Sequence, residues 1–436
     1  MVHFLLSISP AIRILSVFGL ILLLNRVRVP LGLGLVLGGV GLDCWAGRPV
    51  DQVGGHLAAA VVRPELWLMM LNITLILEFG YFMASERNSR ILLAAAQRVG
   101  GRHGRLIGLM FVPAAIGMVP MPGGALFSAP LVGQAVQDRP MPAAWKTAVN
   151  YWFRHILEYW WPLYPVVIVS LSIFSLPVWQ FFLLQMPFTL VSLLAGWFFL
   201  LRNHAEYLGD SCDSRAELQR NELLAVVLPI LFIVLCTLIL PPLVEQLVPG
   251  RTSVLYKLLA MLFGLLVALG VVSRQRENGL DARLFSHLFS FKTMDVVCTL
   301  GGVMIFQTML EYSGLLGAAG REMSASAVPV ELVIAFLPFL AGLVTGIAVG
   351  FGGPAFPLVV GLAAGNPEMG QGAALVLAFA MGYAGMMLSP VHLCYLLTRR
   401  YFTVSLAATW PYLVPCVLSV VGWGIVLHIV LRFLGW

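Results

Sequence analysis

Apolar runs of about twenty residues, the length of helix that crosses a bilayer, recur from one end of this chain to the other. Ten can be read, at roughly 8–24, 29–45, 66–83, 144–174, 177–201, 223–242, 254–272, 293–313, 371–397 and 408–432. With 60% hydrophobic and only 11% charged residues, the chain has too little polar surface to be covered as a soluble domain. The expectation is an all-α polytopic membrane protein. Its apolar N-terminus has no small-residue cleavage site and reads as a retained first helix. The net charge of +6 sits in short loops and reads as a topology determinant, not as a nucleic-acid surface. The six cysteines show no metal-ligand spacing and read as inert thiols.

Two further apolar stretches, about 105–137 and 331–365, are interrupted by Gly and Pro: "VPMPGGALFSAP" (119–130) and "VGFGGPAFP" (349–357). Neither arm of such a stretch is long enough to span, so each reads as a re-entrant hairpin. Charge supports this. With both termini outside, the loops at 25–28, 84–104, 138–143, 202–222, 273–292 and 398–407, with their flanks, face the cytoplasm and hold eighteen Lys or Arg, against five in the outside segments. Counting either broken stretch as a crossing removes that bias.

The two halves match. "LEFG" (77–80) parallels "LEYS" (310–313), the "PGG" at 122–124 parallels the "GGP" at 352–354, and Pro162 parallels Pro390. With five crossings per half, the second copy is expected to be inverted: residues 1–201 form one repeat, 202–222 a cytoplasmic linker and 223–436 the other. Inverted repeats with mid-membrane breaks are a mark of secondary transporters.

Candidate site residues follow from the breaks. Gly123, Gly124, Gly352 and Gly353 would let a ligand approach helix-terminal N–H groups, and Ser128 adds a hydroxyl. In "NYWFRHILEYWWPLYP" (150–165), Asn150, Arg154 and Glu158 share one face of a helix, and Arg154 can pair with Glu158. Pro162 and Pro390 would free the carbonyls of Glu158 and Met386 as cation ligands. Ser389 and His392 supply polar groups from the second half, and His392 or Glu158 could carry a proton. Substrate binding is thus assigned to Gly123, Gly124, Ser128, Asn150, Arg154, Gly352, Gly353 and Ser389, and the coupling ion or proton to Glu158, His392 and Met386. Glu78 and Glu311, at equivalent positions, are expected to brace the hairpins. The aromatic cluster of Tyr151, Trp152, Tyr159, Trp160, Trp161 and Tyr164 reads as an interfacial belt or packing, with a cation–π contact to Arg154 as the sharper alternative.

"PMPGGALFSAP", "NYWFRHILEYWWPLYP", "GFGGPAFPLV" and "LSPVHLCYLLT" (388–398) resemble the membrane family known as domain of unknown function 401. That family is grouped with the citrate, dicarboxylate and gluconate carriers of the ion-transporter superfamily. The resemblance implies inverted repeats, two opposed hairpins, a homodimer and elevator-type movement of a transport domain. The hairpin tips read Pro-Met-Pro-Gly-Gly and Gly-Gly-Pro-Ala, where the sodium–dicarboxylate branch carries Ser-Asn-Thr.

The expected function is secondary active transport of a small organic anion coupled to H+ or Na+, in the lipid bilayer of a prokaryotic cytoplasmic membrane. No dedicated cofactor, metal or nucleic acid is expected. A cation/proton exchanger is the alternative, although such a site needs acids more than an arginine. A non-transporting scaffold has no need of two mid-membrane breaks. A membrane enzyme is disfavoured because HExxH, GxSG, GxGD and Walker A patterns are all missing.

Overall fold

A computed structural model of the chain describes residues 8–83, 88, 91, 104–118, 124–174, 176–204, 220–247, 254–274, 288, 290–325, 329–366 and 368–436. Every regular element among them is helical. In chain order these are α1 (Pro10–Arg26), α2 (Leu31–Trp45), α3 (Val50–Val62), α4 (Pro64–Met83), α5 (Gly104–Gly117), α6 (Ala125–Ala135), α7 (Ala143–Arg154), α8 (Pro165–Ile173), α9 (Val178–Gly196), α10 (Arg220–Leu247), α11 (Val254–Arg274), α12 (Phe291–Ser313), α13 (Leu315–Ala325), α14 (Val330–Thr345), α15 (Ala348–Ala364), α16 (Gln371–Leu388), α17 (Leu393–Tyr401) and α18 (Leu406–Phe433).

Among the described residues six helical segments are long and apolar enough to cross a membrane: Val178–His204, Asn221–Val244, Val254–Arg274, Thr293–Ser313, Gln371–Tyr401 and Leu406–Phe433. The pair α3 and α4, bent by 48°, makes a seventh if taken as one span. The chain is therefore an all-helical integral membrane protein. The sequence-based count of ten exceeds six for physical reasons. Helices α1 and α2, of 17 and 15 residues, fall short of a full crossing length, and the segment 144–174 is split into α7 and α8. Helices α3 and α13 lie where loops were expected.

Proline sets the breaks. Pro162 lacks an N–H and in a continuous helix its ring would clash with the carbonyl of Glu158, so no helix runs through 158–162, while α7 itself ends earlier, at Arg154; Pro165 then opens α8. Pro390 acts likewise. Ser389 before it is extended (φ −68°, ψ 128°), as a residue preceding proline prefers, and α16 stops at Leu388. The first broken apolar stretch folds as α5 and α6, packed together. Its tip, residues 119–123, lies outside the described residues. The second folds as α14 and α15 around Gly346, whose φ of +65° suits glycine. The expected turn at Gly352–Pro354 is instead inside α15, where both glycines serve packing: a Cβ on Gly352 would press on Val166 of α8, and one on Gly353 on Val303 of α12.

The order hairpin, broken helix, long helix occurs twice, and the two runs pack across each other. α8 lies against α15, and α17 against α6. α5 packs on α7 and α14 on α16, the latter so closely that a Cβ on Gly385 would meet the Phe339 carbonyl at 2.0 Å. Flanking pairs correspond too: α1 with α2 against α12, and α10 with α11 against α4. At the α2–α12 contact a Cβ on Gly32 would lie 2.4 Å from the Cys298 carbonyl oxygen. Small residues let backbones approach this way where no hydrophobic force distinguishes protein from lipid.

Candidate functional site

The two helix breaks meet in the protein interior. A helix end leaves carbonyls without partners, and buried ones need substitutes. Here side chains supply them. His155 Nδ1 lies 2.6 Å from the Tyr151 carbonyl, Tyr151 Oη donates to the Met387 carbonyl at 3.2 Å, and Tyr383 Oη donates to the His155 carbonyl at 3.3 Å. Ser389 Oγ donates to the Leu343 carbonyl at 2.8 Å, holding the second break against α14. Tyr164 Oη hydrogen-bonds the Gly117 carbonyl and Trp161 Nε1 that of Met118, holding the first break against α5.

Between the breaks lies an open cavity of about 200 Å³, lined by Arg154, His155, Glu158, Tyr164, Met386, His392 and Cys394, with Gly346–Val349 and residues Leu77, Asp295, Val296 and Thr299 of α4 and α12. Three helices begin at its wall: α8 at Tyr164–Pro165, α15 at Ile347–Val349 and α17 at His392–Cys394. Each N-terminus carries about half a positive charge, although at α8 Pro165 has no N–H and the Val167 N–H is taken by the Tyr164 carbonyl. Arg154 is 3% exposed and its Nη1 has no hydrogen-bond partner. Glu158 Oε2 and His392 Nδ1 are also buried without partners. Even on lenient insertion scales a lone arginine at mid-bilayer costs about 2.5–3.5 kcal/mol, so this wall holds polar capacity that the protein leaves unused.

The profile of the family described as "Protein of unknown function (DUF401)" matches residues 66–430, which takes in both hairpins, both breaks and every residue of the cavity. The chain belongs to DUF401. No curated protein matches it.

In this DUF401 chain the cavity gathers four of the residues singled out by sequence: Arg154, Glu158, Met386 and His392. The others lie elsewhere. Asn150 donates from Nδ2 to Thr398 Oγ1 at 2.9 Å and to the Ala125 carbonyl at 3.5 Å, bracing α7 against α17 and α6. Ser128 is buried in α6 and bonds the same Ala125 carbonyl, while Gly124 is the N-cap of α6; neither lines the cavity. Gly352 and Gly353 are packing residues, Ser389 is occupied by Leu343 and Val391, and Gly123 lies outside the described residues.

Several expected interactions are replaced. α7 ends at Arg154, so Glu158 is not one turn further along the same helix, and the two form no ion pair. Glu158 Oε1 is instead 3.9 Å from His155 Nε2. The Met386 carbonyl is not freed by Pro390; it accepts the Ser389 N–H at 3.1 Å. Glu78 and Glu311 differ in surroundings: Glu78 is buried with Oε2 unpartnered, whereas Glu311 is exposed beside Arg63 and Gln307. Of the two readings of the aromatic cluster, packing holds and the interfacial belt does not. Tyr159 and Trp152 bond Ser192, and Trp160 bonds Thr189. Among the described residues the cation–ring contacts involve Arg63, Lys146 and Arg202, not Arg154.

The pairing missed from sequence is His155 with His392: their Nε2 atoms are 3.1 Å apart. With Pro162 set against Pro390, His392 falls opposite Tyr164, so the repeat did not show the pairing. With Cys394 the two histidines form three donor atoms within 4.8 Å of one another, a set that matches soft transition metals in ligand type. Arg154 and three helix N-termini on the same wall oppose a resident cation there.

Proposed function

We propose that this DUF401 chain is a secondary active transporter of a small organic anion, coupled to H+ or Na+. The observation that carries the reading is the cavity between the two breaks, where a buried, incompletely bonded Arg154 and three helix N-termini face one space of about 200 Å³. Such N-termini bind carboxylates and phosphates without further devices, and a cavity-facing arginine supplies the charged hydrogen bonds. The volume admits a carboxylate of a few carbons. Irregular backbone at membrane depth is tolerated only in protein or against a water-filled space, and the two breaks meet that condition.

The twofold element order and the cross-packing of α8 on α15 and α17 on α6 support two repeats, 1–201 and 223–436, joined by 202–222. The charge bias supports an inverted second repeat, with α5–α6 and α14–α15 as re-entrant hairpins entering from opposite sides. Alternating access then takes the form of an elevator in which hairpins and broken helices move together against α1–α4 and α10–α12, in a homodimer with both termini outside.

Currents from proteoliposomes on a solid-supported membrane test this, with acetate, lactate, succinate and citrate as probes. Arg154→Ala is expected to abolish the anion-dependent current, while Glu311→Gln, an exposed change, leaves it intact. Full current in Arg154→Ala would remove the arginine from the site. No current with any probe would count against transport of organic anions altogether.

A further inference from the structure

Resting on that transport reading, we propose that the coupling ion is a proton, taken up at His392 Nδ1 on an imidazole that hydrogen-bonds His155, and that its uptake requires the anion.

Hydrogen-bond logic locates the proton. A carbonyl oxygen only accepts, so the 2.6 Å contact from His155 Nδ1 to the Tyr151 carbonyl places a hydrogen on that Nδ1. Neutral His155 therefore has a bare Nε2, and the 3.1 Å contact between the two Nε2 atoms is a bond donated by His392. His392 Nδ1 is then the one ring nitrogen of the pair with no hydrogen and no partner. A proton added there breaks no existing bond. It strengthens the bond to His155, since the donor becomes charged.

The surroundings make this uptake conditional. On the first break, Arg154 and Glu158 share the cavity with the pair. From α7, Tyr151 sets its ring edge against both imidazoles, at 4.8 and 5.1 Å, and from α16 Tyr383 bonds the His155 carbonyl. α17 contributes Cys394 and α12 contributes Asp295, while the turn Gly346–Val349 brings no ionisable group. Arg154 and the helix N-termini leave the empty cavity positive. An imidazolium is unfavourable in that field. A bound carboxylate reverses its sign, and by linkage the proton favours the anion as much as the anion favours the proton. Neither then stays on the carrier alone, which is the requirement of a symporter.

Sodium is poorly provided for by the same atoms. A hard cation wants several oxygens. Yet the carbonyls at the breaks, those of Tyr151, His155, Met386 and Met387, and that of Leu343 at the end of α14 already accept hydrogen bonds.

The test compares uphill anion accumulation with anion exchange in proteoliposomes, using the same four probe anions. In the unaltered protein, accumulation should follow an inward pH gradient and persist without Na+. His392→Gln should lose pH-driven accumulation yet keep anion–anion exchange, a split that a merely structural role would not produce. Accumulation driven by Na+ and indifferent to pH overturns the coupling while leaving the transport reading standing. So does pH-driven accumulation that survives His392→Gln. If that variant does not fold, the unaltered protein in weakly buffered detergent decides: anion addition should take up one proton per anion bound, and binding without proton uptake refutes the proposal. No transport or binding of any probe removes the transport reading and the coupling with it.

Discussion

Asn150 shows how a polar residue in an apolar chain can be read for its chemistry and still be misassigned. Its spacing from Arg154 marks it as a cavity residue, but the side chain turns to Thr398, 248 positions away, and joins the two broken helices. Removing one partner of a buried hydrogen bond leaves the other unsatisfied, at a cost of about 1–3 kcal/mol. Thr398→Val and Asn150→Ala should each lower stability by that order. Together they should cost less than the sum of the two, because they remove one shared bond. Denaturant unfolding in mixed micelles measures this, and strictly additive losses would show that the bond contributes nothing. Cys394 and His155 went the other way. Both sit beside residues singled out by sequence, and only the meeting of the breaks gives them a shared surface.

At the scale of the element, each break is braced by the hairpin of its own half. Gly117, at the end of α5, lies against the Arg154 carbonyl, and Gly346, at the end of α14, lies against Ser389 and His392. A Cβ on Gly117 would stand 2.2 Å from that carbonyl oxygen, which is backbone and has no rotamer to yield. Gly117→Ala is therefore expected to cost about 1–3 kcal/mol and to shift Arg154. On the transport reading it raises the anion concentration for half-maximal current several-fold. Gly270→Ala on α11, where an added methyl meets nothing within 4 Å, is the matched control and should behave as the unaltered protein. Equal behaviour of the two variants would mean that the α5–α7 contact has slack. The prolines made the breaks legible in sequence, since a missing N–H and a ring clash act locally. The length of the first break was not legible, because ten residues of irregular backbone persist only where side chains of distant helices satisfy them, as Tyr383 Oη does the His155 carbonyl and Thr189 Oγ1 that of Ile156.

Across the whole molecule, α8 of the first half packs on α15 of the second, with Val166 against Gly352. Cysteines at 166 and 352 should form a disulfide under mild oxidation, since the Cβ built at 352 is 2.9 Å from the Val166 side chain; failure to cross-link would separate these helices. The inverted arrangement makes a further demand. Single cysteines at 124 and 347 should be labelled by membrane-impermeant reagents from opposite faces, and labelling from one face would reject opposed hairpins.

Legible from the chain alone are the helical membrane class, nearly all helix positions, both broken helices and the charged residues Arg154 and Glu158. These follow from apolar run length, from proline's local geometry and from the cost of burying charge, none of which needs a neighbour's position. Only the tertiary structure decided which residues share a cavity. It moved the second turn from Gly352 to Gly346, separated Glu158 from the helix of Arg154, tied Asn150 to Thr398 and set His155 against His392. The physical reason is that a broken helix loses its 3.6-residue periodicity at the break. Beyond that point spacing along the chain no longer says which face a side chain occupies, and packing across the two halves does.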